Sequence, residues 1–396
     1  MTNSIIKPTV VWVNGRFLGR PITGVERVAR EILTEIAESH LDENGCWSAD
    51  GDVFELRIMA PAKTIDESPW PNIRLQSGGV LRGHAWEQLE LPRLTAGELL
   101  LNLCNTAPIL KKHQIVFLHD AQTFAIPENF SRLFRSWYRF MFYVTARTAQ
   151  SVLVNSRFTQ RELSRCLKLP TDRMRICYPG SEHAVREKAG DSLLSRFNLP
   201  TAPFVLGVAS ENPNKNFAQL VNALKSLGRN APPCVLVGRS SQKHFRRGGI
   251  DDSGFIHLGY VSDRELLALY KRALCLVFPS YYEGFGLPPL EAMRAGCPVV
   301  VSATSSMPEV AGSAAEYCNP DDHTSIAGAI LRVNDYRSRR DTMVRDGKLR
   351  AVQFSWTEAA NCVLDEIRQA GSKAAVMSAS AQVASRETWA TDTSVL

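Results

Sequence analysis

Apolar residues in this chain fall into short unbroken runs of strand length, separated by longer stretches in which apolar and polar positions alternate with helical spacing. The first kind suits strands buried on both faces, and the second suits helices laid over them. In order, the strand candidates are Thr9 to Val13, Phe54 to Met59, Leu99 to Leu103, Gln114 to Leu118, Ser151 to Val154 and Arg175 to Tyr178. A second series follows at Phe204 to Val208, Cys234 to Val237, Phe255 to Leu258, Leu274 to Phe278 and Val299 to Val301. Amphipathic patterns such as Val25 to Ile36 and Arg157 to Leu167 lie between some of them. Strand and helix alternating in this way, twice over, predict an α/β protein of two doubly wound, Rossmann-like domains facing a cleft.

The boundary falls between Gly180 and Pro200, a polar and charged stretch around a short apolar segment, closing on Asn198, Leu199, Pro200, Thr201, Ala202 and Pro203. This gives a first domain over 1–185 and a second over 200–355. A further helical pattern, Thr357 to Gln369, occupies 356–370. The remainder, 371–396, is rich in Ser, Ala and Thr without an apolar period and is expected to be disordered. With 396 residues, 44% hydrophobic and 22% charged, two ordinary globular domains are the natural expectation.

The segment FPSYYEGFGLPPLEAMRAGCPVVVS, Phe278 to Ser302, carries the chemistry. Gly284 and Gly286 break the preceding strand, Pro288 and Pro289 suit a first helical turn, and Gly296 suits a C-terminal cap. The loop therefore lies at the carboxyl end of a parallel strand, where open α/β sheets bind ligands. Amide groups of Gly284 to Leu287 and the helix amino terminus would face an anion such as a diphosphate. Glu283 and Glu291 would repel that anion unless they accept hydrogen bonds from neutral hydroxyls, as sugars and riboses offer. Taken singly, each glutamate also has a plain reading as a solvated loop residue or a helix-dipole partner.

Glu283, seven intervening residues and Glu291, within EGFGLPPLEAMRAGCPVVVS, resemble the signature of the retaining glycosyltransferases of family four. The resemblance implies the GT-B fold, with the 356–370 helix crossing back to the first domain. It also implies that Glu283 contacts the donor sugar, that Glu291 holds the nucleotide ribose, and that Gly284, Phe285, Gly286 and Leu287 lie against sugar and phosphates.

Other strand-end loops carry candidates of their own. Lys215, in ASENPNKNFAQL, can give a point charge to a diphosphate. The resembled family usually has an arginine there too, where this chain has Asn214 and Ser210; Ser210 remains a donor-side candidate, and Arg239 or Lys243 is a possible substitute. Gly24, in NGRFLGRPITGVERVAREIL, opens a helix whose amino terminus could meet the phosphates from the opposite domain. That loop also reads as a structural turn, and its glycine spacing is not the dinucleotide fingerprint. His119 and Asp120 close the strand IVFLHD; the histidine is expected to contact the donor sugar, with a core histidine bonded to backbone as the alternative. His183 in YPGSEH is expected to be structural. Glu309 in SSMPEV is explained by helix-dipole complementation, although it matches a family position near the donor. Asp50 and Asp52 form a D-x-D in a polar loop and read as a turn.

The nine cysteines include no C-x-x-C pair and no zinc signature, so a reducing compartment is expected. No run is long enough for a membrane span, and the apolar run after Lys7 is too short for a signal-peptide core. The net charge of +6 is spread over both halves without a basic stripe, which argues against a nucleic-acid partner. In Phe130 to Gln150, Arg132, Arg135 and Arg139 share a helical face that could touch an anionic membrane, though such helices more often leave their arginines in water.

Together these readings predict a cytoplasmic enzyme, acting in solution or at the inner membrane face. It would move a hexose from a nucleotide diphosphate sugar to a hydroxyl of a saccharide or lipid-linked saccharide with retention, without a metal or other cofactor. Catalysis is assigned to Glu283, His119 and Lys215. The wording of SATSSMPEV and YPGSEH resembles bacterial mannosyl and rhamnosyl transferases of polysaccharide assembly, which makes GDP-mannose the expected donor. An epimerase or hydrolase on the same fold, or a catalytically silent carbohydrate-binding assembly protein, are the alternatives.

Overall fold

The computed structural model describes residues 8–49, 51–186, 197, 199–208, 212–238 and 254–371. Strands β1 (Thr9–Asn14), β2 (Cys46–Ala49), β3 (Asp52–Pro61), β4 (Arg74–Gly78), β5 (Leu99–Asn102), β6 (Gln114–Leu118), β7 (Ser151–Val154) and β8 (Met174–Ile176) form one sheet. Its order is β2-β3-β1-β5-β6-β7-β8, with β4 also paired to β3. The second sheet holds β9 (Val205–Val208), β10 (Cys234–Val237), β11 (Phe255–Gly259), β12 (Cys275–Phe278), β13 (Val299–Ser302) and β14 (Glu316–Cys318) in the order β11-β10-β9-β12-β13-β14. All pairings are parallel except β2 with β3.

Both orders reverse direction once, between β1 and β5 in the first sheet and between β9 and β12 in the second. At such a point adjacent crossovers leave in opposite directions and open a crevice beyond the strand ends. Those two crevices locate everything that follows.

Three strands were not foreseen. Cys46–Ala49 and Arg74–Gly78 lie at the margin of the first sheet and Glu316–Cys318 at the edge of the second, so none needs the apolar run that marks a strand buried on both faces. Asp52 opens β3 just after Gly51, whose φ of +88° turns the chain, and Asp50 lies outside the described residues.

The helix over 356–371 packs on the first sheet. Val363 and Ile367 are fully buried there, each contributing on the order of 1.5–3 kcal/mol. Arg175 reaches Asp365 and Glu366, both at 2.9 Å, and Gln150 donates to the Ala370 carbonyl at 2.9 Å. Those half-exposed ion pairs add little beside the apolar burial. Residues 372–396 lie outside the described residues.

Candidate functional site

The β12 end, the Leu287–Ala295 helix and β13 form the strand, loop, helix, strand unit read from the sequence. Gly286 takes φ +105°, a backbone conformation that residues with a Cβ rarely adopt, so glycine suits this entry into the helix. Pro288 and Pro289 fill the first turn, and Gly296 at φ +81° ends the helix.

That helix carries Glu291 into a cavity of about 230 Å³ shared by the two domains. Gly24 and Arg27 line it from the first domain, Leu287, Tyr270 and Val208 from the second, and His183 from the connection between them. Arg27 donates to Asp263 at 2.7 Å across the cleft. The structure brings Gly24, Leu287 and Glu291, all expected on the donor side, into one crevice. Sequence reasoning gave His183 a structural part, but His183 Nε2 lies 2.9 Å from Glu291 Oε1, and Trp356 Nε1 donates to His183 Nδ1 at 3.1 Å. An indole donor demands a lone pair on Nδ1, so the hydrogen given to Glu291 sits on Nε2. Tyr270 donates to the other carboxylate oxygen at 3.2 Å. Burial alone would raise the Glu291 pKa; the His183 hydrogen bond, Arg27 and the Tyr270 hydroxyl hold it below the ordinary value. A buried, ionised carboxylate on an apolar-walled crevice suits a diol such as a ribose. Neither His183 nor Tyr270 stands near Glu291 in sequence, and no local pattern marks them.

Glu283 belongs to a different group. Asn214 donates to the Tyr282 carbonyl and Tyr281 N–H to the Asn214 carbonyl at 3.0 Å, which sets the loop after β9 against the loop after β12. Lys215 Nζ consequently meets Glu283 Oε1 at 2.7 Å and lies 4.5 Å from the centre of the Phe278 ring. Asp120, from the first domain, shares this field: burial, then the Glu283 charge, push its carboxyl up to about 6, while Lys215 pulls it down. One ammonium serves two carboxylates. Lys215, expected to give a point charge to a diphosphate, is paired with Glu283 here, and a phosphate would compete with that carboxylate for it.

Other expectations need correction. The His119 ring does not face the donor: Nε2 is 2.7 Å from the Leu103 carbonyl, the ring stacks on Phe117, and burial pushes its pKa down to about 4. Its neighbour Asp120 is the strand-end residue in the Glu283 and Lys215 field. Phe285 turns into an aromatic group with Tyr178 and Phe354, so its side chain is core and only its backbone can reach a ligand. Gly284 is an interdomain contact. A Cβ there would stand 2.0 Å from the His119 carbonyl oxygen, and the Gly284 carbonyl accepts from Ser156 at 2.6 Å and Thr159 at 3.0 Å.

Glu309 lies in the first turn of its own helix, Met307–Ala311, but its carboxylate reaches across to the first domain. It accepts from the amides of Arg157 at 2.8 Å and Phe158 at 3.0 Å, capping a first-domain helix, and from the Tyr178 hydroxyl at 2.7 Å. Arg139, given to a membrane-facing surface, donates to the Thr123 carbonyl at 2.8 Å. Ser210, Arg239 and Lys243 lie outside the described residues. Among the described residues no helix is long and apolar enough to cross a membrane, and no three His, Cys, Asp or Glu converge as metal ligands would.

Comparison with known proteins agrees with this layout. Residues 195–350 match the family model "Glycosyl transferases group 1". The chain is 28% identical to "O-antigen chain mannosyltransferase B" of Escherichia coli, covering 88% of this chain and 95% of that one. It is 25% identical to "O-antigen chain mannosyltransferase RfbU" of Salmonella typhimurium, over 83% and 95%. Among solved structures it is similar in fold to sucrose-phosphate synthase from Thermosynechococcus elongatus, with TM-score 0.71, 18% identity and coverage of 93% and 100%. The Anabaena HepE complex with UDP and glucose gives TM-score 0.67, 16% identity and coverage of 91% and 100%. Residues 195–350 thus carry a group 1 glycosyltransferase domain, and the chain is a glycosyltransferase with the two-domain GT-B fold.

Proposed function

We propose that this enzyme transfers a mannosyl residue from GDP-mannose to a hydroxyl of a saccharide acceptor during polysaccharide assembly, with retention at the anomeric carbon. The observation that carries the donor and the process is near full-length similarity to O-antigen mannosyltransferases. The geometry supports the division of labour. The Glu291 crevice takes the nucleoside, with ribose hydroxyls donating to the carboxylate. The helix amino terminus beginning at Leu287 and the preceding loop amides face the diphosphate. Lys215 stands where charge develops on the departing phosphate, a preformed electrostatic stabiliser that acts without a metal ion.

In this reading Glu283, paired with Lys215, accepts a hydrogen bond from a sugar hydroxyl as the donor phosphate draws the ammonium away. The acceptor oxygen attacks the sugar from the face the phosphate leaves, and the departing phosphate oxygen takes the acceptor proton. No third carboxylate is required as a nucleophile. The reaction is placed in the cytoplasm. Leu133, Phe140 and Tyr143, exposed on the Arg132–Thr148 helix, support peripheral contact with an anionic membrane.

The test is release of nucleoside diphosphate from GDP-mannose with and without a mannosyl acceptor, followed by NMR of the product's anomeric configuration. Acceptor-dependent release and an axial linkage are expected. Equal release without acceptor would establish the hydrolase alternative instead, and an inverted linkage would end the front-face mechanism.

A further inference from the structure

A second cavity between the domains, of about 500 Å³, takes no part in the scheme above. Arg157 and Arg161 line it from the Arg157–Leu167 helix of the first domain, and Arg350, near the end of the Arg337–Ala351 helix, lines it from the second. Arg157 and Arg161 are exposed and stand one helical turn apart, so their like charges repel. Arg350 Nε donates to the Val310 carbonyl at 2.9 Å, a second guanidinium nitrogen donates to the Glu309 carbonyl, and the group lies 4.8 Å from the centre of the Phe354 ring. These neutral partners fix the guanidinium and cancel none of its formal charge.

One carboxylate, Glu309, is among the lining residues, and its oxygens are taken by the Arg157 and Phe158 amides and the Tyr178 hydroxyl. Burial, then Glu309, push the Tyr178 pKa up to about 12, which keeps that hydroxyl a donor. Among the described residues no carboxylate forms an ion pair with any of the three arginines. Three cations thus face one acid that is already spent, an arrangement that a polyanion placed among them would stabilise.

Part of the wall of this cavity is also the back of the donor loop. The Tyr178 and Phe354 rings pack on Phe285 with centroids 6.3 and 5.6 Å away, and the start of the helix that carries Arg157 holds the Gly284 carbonyl through Ser156 and Thr159. A ligand held by Arg157 and Arg161 on one side and Arg350 on the other would tie the domains into the arrangement in which Gly24, Arg27 and Glu291 line one crevice.

We propose that this cavity is a regulatory site for a small phosphate-bearing metabolite, gripped by Arg157, Arg161 and Arg350, that steadies the donor crevice in its bound form. Guanidinium forks match phosphate oxygens bidentately, and the volume suits a small molecule. The binding half of the inference rests on the cavity alone, and the regulatory half rests on the reading of the Glu291 crevice as the nucleotide site.

The full chain saturated with GDP, so that the donor crevice is filled, is titrated with inorganic pyrophosphate by calorimetry. Pyrophosphate should bind, and the Arg157→Ala, Arg161→Ala double variant should weaken that binding about tenfold or more, with GDP affinity in the absence of pyrophosphate unchanged. Both side chains are exposed and the amides that Glu309 caps are backbone, so the fold is not at stake. In a chase with excess unlabelled GDP, pyrophosphate should slow release of tritiated GDP from the wild type about fivefold and leave the double variant's rate unchanged, an effect that competition for the donor crevice cannot produce. No binding to the GDP-loaded chain, or binding unaffected by the double variant, would overturn the proposal, and binding without slower release would overturn its regulatory half. Should GDP itself fail to bind, the donor assignment falls, and loss of pyrophosphate binding in the double variant still tests the cavity alone.

Discussion

At the β9/β12 switch point the crevice is walled by Val208, Val237, Val261 and Leu267 and ends on an ionised carboxylate, Glu291. On the far side of the donor loop the second cavity between the domains is walled by Arg157, Arg161 and Arg350. One suits a neutral, flat nucleoside whose hydroxyls donate hydrogen bonds, and the other suits an anion. Two cavities beside one loop have thus been fitted with complementary chemistry, and Asp120, Lys215 and Glu283 form a third group across the cleft between the domains. A regulated enzyme needs that division, because substrate and effector must be held at once and distinguished from one another.

The comparison breaks most visibly at Glu283. Glu283→Ala should lower kcat by about 10²–10³ with the thermal midpoint nearly unchanged, an effect of the size seen when a preorganised electrostatic group is removed. Steady-state kinetics with circular dichroism would check it, and near wild-type turnover would remove Glu283 from the reacting centre. Gly284→Ala strikes the contact between domains rather than either crevice. Its Cβ would collide with the His119 carbonyl, so a stability loss of roughly 1–3 kcal/mol in chemical denaturation is expected, with both substrates bound less well.

Much of this was legible in the sequence. The buried strands were marked by apolar runs, and the Gly286, Pro288, Pro289 and Gly296 sequence foretold the Leu287–Ala295 helix within a residue or two. Edge strands such as Arg74–Gly78 escaped because an exposed face needs no apolar run. Motif resemblance put Phe285 against a ligand, yet a motif does not say which way an aromatic ring turns, and packing with Tyr178 and Phe354 decided it. His119 and Asp120 could not be told apart by position alone, since neighbouring residues at a strand end face opposite ways. The three arginines of the second cavity stand at positions 157, 161 and 350 and converge only because the two domains meet there.

Smaller effects sharpen the contrast. His183→Ala removes one donor to Glu291, so the KM for the nucleotide sugar should rise about tenfold, equivalent to about 1.4 kcal/mol, while the acceptor KM stays put. A rise confined to the acceptor would remove the nucleotide sugar from the Glu291 crevice. The smallest signal comes from Asp120. Its folded pKa, about 6, lies above the ordinary aspartate value, so the native state holds its proton over a range where the unfolded chain has lost it. Stability from this group is therefore greatest at acid pH and declines as pH rises from about 4 to about 6. Asp120→Asn should abolish that part of the slope in denaturation measured across the interval.

The most direct test of the central claim is the affinity of GDP for the wild-type chain, for Glu291→Ala, and for the Arg157→Ala, Arg161→Ala double variant, measured side by side by calorimetry. The account predicts weaker binding in Glu291→Ala alone, with the double variant matching wild type. GDP binding that survives Glu291→Ala but collapses in the double variant would contradict it.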